Sequence, residues 1–163
     1  MNYTEFESII NSVLDNLSSK EKYADLCKKS WNFDSAKGLI KNDAKEVKKE
    51  LNLDFVIAGT EKMFYKDYFF DTIQIRFMVP YGYGFLDCAY RVFKGMSDES
   101  IPGFSFRDIV EFVKGHDENQ TFRFPMFKNI TDYKEILKVI LEMNDEIILL
   151  LSEKIPKVNI KHI

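Results

Sequence analysis

The chain has 163 residues, of which 45% are apolar, 30% charged and 15% aromatic, with a formal net charge of −3. That length and composition suit one domain with a single core, spanning 1–163, and exclude a chain too polar to fold. A negative balance gives no overall basic footprint, so direct nucleic-acid binding is not expected.

The first residues place Glu5 and Glu7 among apolar neighbours, without a basic opening or a small-residue cleavage site, so a cytoplasmic location is expected. The longest aliphatic run, 147–151, is far short of the ~20 apolar residues a membrane span needs. No membrane association is predicted.

Thr4 and Glu7 read as a capping box opening a first helix, in which Phe6, Ile9, Ile10, Val13, Leu14 and Leu17 repeat on one face. Ser18 and Glu21 repeat the signal for a second helix that ends near Asn32. A short helical turn is expected at 36–40, and Asp43 with Glu46 caps a third helix carrying Ala44, Val47 and Leu51. From Phe55 the spacing changes: Phe55 to Tyr65 reads as one strand bulged at Gly59, and Phe69 to Val79 alternates as a second. A turn at 80–84 leads to a third strand at 85–93, which completes an antiparallel meander. Residues 95–103 read as a polar loop, Ser105 as the cap of a helix stopped by Gly115, and 121–127 as a short edge strand. Thr131 or Asp132 starts the longest helix, whose apolar stripe from Tyr133 to Leu151 must cover the sheet, and 157–163 is a loose tail. The fold class is therefore α+β: N-terminal helices and a long C-terminal helix packed on a mainly antiparallel sheet.

Cys27 and Cys88 fall in a helical and a strand pattern and read as buried reduced thiols. With His116 and His162 they offer no zinc-ligand spacing, so neither a metal nor a cofactor is expected. No catalytic residue is assigned: His116, beside Asp117 and Glu118, reads as a solvated loop histidine. The stretch 81–85 lacks the lysine and hydroxyl residue of a phosphate loop and reads as a turn that exposes Tyr81 and Tyr83 as rigid contact groups. Tyr65, Tyr68, Phe69 and Phe70 read as core packing. Charge is uneven along the chain: residues 20–50 balance to +3, whereas 97–118 and 132–153 each balance to −4, a field able to steer a basic partner.

The helical N-terminus, the aromatic sheet from Phe69 to Phe93, the acidic loops and the closing helix from Asp132 together resemble the small α+β immunity proteins of contact-dependent or polymorphic bacterial toxin systems. The resemblance implies an inhibitor, not an enzyme, that binds one toxin domain, commonly a basic nuclease. It makes Asp98, Glu99, Asp108, Glu111, Asp117 and Glu118 the electrostatic candidates, with Tyr81 and Tyr83 as aromatic anchors. Two alternatives stand beside it: a small enzyme with a cleft between sheet and helix, and an adaptor that forms a homodimer through the mixed face of the sheet.

Overall fold

A computed structural model describes residues 1–156 except 96, 98, 117, 118 and 120. Three helices come first, α1 (Tyr3–Asn16), α2 (Lys20–Ser30) and α3 (Lys41–Glu50). Five strands follow, β1 (Val56–Ala58), β2 (Met63–Phe69), β3 (Ile73–Pro80), β4 (Ala89–Lys94) and β5 (Ser100–Ser105), and then α4 (Phe106–Lys114) and α5 (Ile130–Lys154). The strands form one antiparallel sheet in the order β1-β2-β3-β4-β5, a pure meander. The α+β class and the long closing helix are as the sequence predicts. Among the described residues no helix is long and apolar enough to cross a membrane.

The sheet has one covered face and one open face. In β3 the alternate residues Ile73, Ile75, Phe77 and Val79 are buried, while Gln74, Arg76, Met78 and Pro80 are only partly covered. This is the period-2 pattern that fixes register, because a one-residue slip would expose all four apolar side chains. The helices lie over the buried face, and the apolar side chains join into one cluster to which every helix contributes. Cys27 and Cys88 sit in that cluster as free, fully buried thiols.

Helix α5 holds the assembly together. Tyr133, Ile136, Leu137, Ile140, Met143, Ile147, Ile148 and Leu151 form its buried stripe, and it runs beside α1, α2 and α3. In the middle of the stripe lies Asn144, 1% exposed and the one buried polar residue of the described core. Its Oδ1 accepts a hydrogen bond from the Tyr90 hydroxyl at 2.9 Å, and its Nδ2 donates to the Tyr68 hydroxyl at 2.8 Å. One side chain thus ties α5 to β4 and β2 in a single register. Glu146 makes a second tie. Its carboxylate accepts from the Ser18 amide at 2.6 Å, the Ser19 amide at 3.3 Å and the Ser19 hydroxyl at 2.6 Å. These groups precede and open α2, so a carboxylate from another helix serves the N-terminus that Ser19 leaves uncapped.

Several local readings are corrected. Asn2, not Thr4, caps α1, with Glu5 completing the box; Asn129 caps α5 by accepting from the Asp132 amide. Residues 36–40 form no helix. Their backbone is used elsewhere, since the Lys37 amide donates to the Phe127 carbonyl and the Leu39 amide to the Tyr81 carbonyl. The expected bulged strand at 55–65 is a hairpin, because residues 59–62 turn the chain between β1 and β2 with Lys62 at φ 51°. The alternation from Phe69 to Val79 likewise spans a turn at Asp71 and Thr72, closed by the Phe70 amide on the Ile73 carbonyl. The third strand begins at Ala89, not Phe85.

The end of the expected loop at 95–103 is instead part of the edge strand β5, which runs from Ser100 to Ser105. Pro102 is tolerated on that edge, and the register shifts between Tyr90 and Val92. Gly103 permits this close approach: a Cβ there would lie 1.8 Å from the Tyr90 carbonyl oxygen. Residues 121–127 form no strand; they meet the sheet side of the molecule through a single bridge between Phe85 and Met126. The predicted tail, 157–163, lies outside the described residues.

Replacing Asn144 with Ala removes partners from two tyrosine hydroxyls, so urea unfolding is expected to show a loss of about 2–3 kcal/mol. A loss under about 0.5 kcal/mol would mean that the pin contributes nothing. Burial raises the pKa of Glu146, but the bonds from Ser19 and Ser18 outweigh it and hold the carboxyl below its ordinary value of 4.5. With the folded pKa depressed, Glu146 stabilises the fold above the unfolded value, and that contribution is lost as pH falls through the folded one. Glu146→Gln is expected to lower Tm at neutral pH and to flatten its fall on acidification; parallel Tm curves for parent and variant would refute the tie.

Candidate functional site

Among the described residues, aromatic rings from three separate segments touch one another in a chain that is partly exposed. Phe33 packs against Trp31 edge-on with centroids 4.8 Å apart, and Trp31 touches Phe122 at 5.5 Å and Phe124 at 5.4 Å. Phe124 meets Phe85 at 4.8 Å, and Phe85 stacks on Tyr83 at 6.0 Å. Phe33 is 62% exposed, Tyr83 54% and Phe122 37%, whereas Trp31, Phe124 and Phe85 are half-buried beneath them. The other exposed large aromatic side chains, Tyr3 and Phe112, join no ring pair among the described residues.

Backbone contacts hold the three segments in place. Leu86 donates to the Pro125 carbonyl at 2.9 Å and Phe127 to the Gly84 carbonyl at 3.0 Å, which fastens the second segment to the third. The first is fastened by the Lys37 amide on Phe127 and by the Leu39 amide on Tyr81 at 2.7 Å. The Met126 amide donates to the Ser30 hydroxyl at the end of α2. Gly38 permits the close crossing of the first two segments, since a Cβ there would sit 2.0 Å from the Gly82 carbonyl oxygen. The ridge is therefore a loop surface on a rigid frame. Beside it lies a cleft of about 430 Å³, lined by Leu26, Asn32, Met126, Lys128, Asp132 and Ile136 among others.

The open sheet face differs. The Arg76 guanidinium makes two 2.8 Å bonds to Asp67, lies 4.3 Å from the Tyr65 ring centroid and reaches toward Phe93, over which Arg91 also lies. The face covers its own rings with paired and cationic groups. Tyr65 thus packs under Arg76 on this face and Tyr68 serves the Asn144 pin, while Phe70 alone of the four aromatics assigned to the core is fully buried.

The acids singled out in sequence occupy separate places. Glu99 pairs with Lys94 at 2.7 Å in the β4–β5 hairpin. Asp108 accepts from the Ser105 amide at 2.6 Å at the start of α4, a capping role not assigned to it from the sequence. Glu111 pairs with Arg123 at 2.9 Å and lies 3.9 Å from His116. Asp98, Asp117 and Glu118 lie outside the described residues. Tyr83 is exposed as expected, but Tyr81 is 1% exposed and packs on Phe64, so it is a core residue and no anchor. Burial pushes its hydroxyl pKa up. Alternation explains the error: the chain is still extended past Pro80, and Tyr81 points inward where Gly82 and Tyr83 turn out.

Sequence reasoning also passed over Asp87, which is partly buried against Arg107 at 3.0 Å; desolvation outweighs the guanidinium and raises its pKa. Trp31, Phe33, Phe122 and Phe124 were equally unmarked as a surface. Their signal is two aromatic-X-aromatic triplets set among polar and turn residues, where no core stripe requires them. In comparisons with known proteins the chain matches no family model, no curated protein and no solved structure.

Proposed function

We propose that this chain acts by binding another protein on the aromatic ridge, and that the bound partner is a toxin domain that it neutralises. The carrying observation is the ring chain from Phe33 to Tyr83, three of whose members stay exposed on segments that backbone bonds hold fixed. Large rings with few rotatable bonds lose little entropy on binding and supply most of the energy at interface hot spots. A contiguous apolar surface of this kind is costly to leave in water and marks an interaction site. The toxin-neutralising form of the reading adds the resemblance in layout to immunity proteins.

The test combines Phe33→Ala, Tyr83→Ala and Phe122→Ala in one variant. All three rings are exposed, so the circular dichroism spectrum is expected to stay as in the parent. Titration against an inactivated C-terminal fragment of the protein encoded immediately upstream is expected to show at least ~100-fold weaker binding. Cells producing the active fragment are expected to survive with the parent chain and not with the variant. A folded variant that binds and protects like the parent would show that the ridge is not the binding surface. A fragment whose toxicity the parent does not relieve would remove the immunity role.

A further inference from the structure

Granting the ridge reading, we infer that the ridge selects an acidic partner surface, opposite in sign to the basic partner that the acidic loops suggest. Two of the three segments that build the ridge are basic, and the middle one, 81–86, carries no charge. Residues 28–41 carry Lys28, Lys29, Lys37 and Lys41 against Asp34 alone, and 121–128 carry Arg123 and Lys128 with no acid. Lysine residues approach the ring-bearing stretches at three points, one of them, Lys62, from outside these segments. The Lys62 side chain lies across Gly82, next to Tyr83, close enough that a Cβ on the glycine would fall 2.4 Å from Lys62 Cδ. The Lys37 backbone abuts Gly84, between Tyr83 and Phe85. Lys28 lines a cleft of about 310 Å³ together with Phe122.

Lys28, Lys37 and Lys62 are exposed, and none makes an ion pair among the described residues. The acids differ in this respect: Glu99 and Glu111 are neutralised within the fold, and Asp108 is engaged at the start of α4. An apolar ridge bordered by exposed lysines that make no ion pair among the described residues is complementary to an apolar surface bordered by carboxylates. A protein segment fits better than a nucleic-acid strand. At the Trp31 end the rings meet at steep angles, 82° with Phe33 and 74° with Phe122, and there present edges and gaps for side chains instead of a flat stacking platform. The net charge of −3 also opposes a polyanion.

The only tryptophan, Trp31, sits in the ridge and reports on it by fluorescence. The probes are two 15-residue peptides with the same Leu and Phe positions, one with Glu and the other with Lys at every remaining site, and an oligothymidine. The Glu peptide is expected to change Trp31 emission and to bind at least ~10-fold tighter than the Lys peptide. That preference is expected to disappear in a Lys28→Glu, Lys37→Glu, Lys62→Glu variant and to shrink at high salt. Equal or tighter binding of the Lys peptide, no response to either peptide, or a tighter oligothymidine complex would overturn the acidic-partner inference. If both peptides bind equally and the Phe33, Tyr83 and Phe122 substitutions abolish both, the charge inference fails while the ridge stands. Failure of the ridge itself is read separately, from the toxin-fragment titration.

Discussion

A five-stranded meander with one apolar face cannot exist in water without a cover, and α5 supplies the main part of it. Each buried apolar side chain of its stripe contributes roughly 1.5–3 kcal/mol of burial. Burial alone is indifferent to sliding along the sheet. Asn144 removes that indifference, because its amide satisfies Tyr90 and Tyr68 together only in one register. Glu146, two residues further along α5, carries the same register to the start of α2. The positions of the N-terminal helices are thus coupled to the sheet through one helix.

That coupling decides where the ridge appears. Helix α2 must end near the close of β3, and the segment after it crosses the β3–β4 connection at Gly38 and Gly82. The return from α4 to α5 passes the same corner through Phe85 and Met126. Three connections converge there, and their aromatic residues have no strand or helix face on which to hide. They pack on each other instead, half in and half out of the protein.

Periodic features were legible in the sequence. The helical stripes, the alternation in β3 and the Ser105 and Gly115 boundaries of α4 all appear where the pattern placed them. Errors gathered where two-residue periodicity continued through a turn, as at Asp71 and Thr72, since alternation by itself does not say whether the chain has reversed. Strand β5 was missed because Ser100, Pro102 and Gly103 carry loop chemistry, and its pairing is supplied by β4. The ridge was illegible for a further reason. Its rings come from positions about 50 and 40 residues apart in sequence, and their adjacency is a product of α5 register and the glycine crossing.

The anchoring of the ridge has a consequence for variation. Its segments are held by amide-to-carbonyl bonds from Lys37, Leu39, Leu86 and Phe127 and by a contact that requires glycine, none of which depends on the exposed rings. Phe33, Tyr83 and Phe122 can therefore be exchanged with little effect on the core, much as a paratope is rewritten on a constant framework. The corner where these loops meet can retarget the chain while Gly38, Gly82 and Asn144 stay fixed, so specificity and stability are inherited by separate sets of positions.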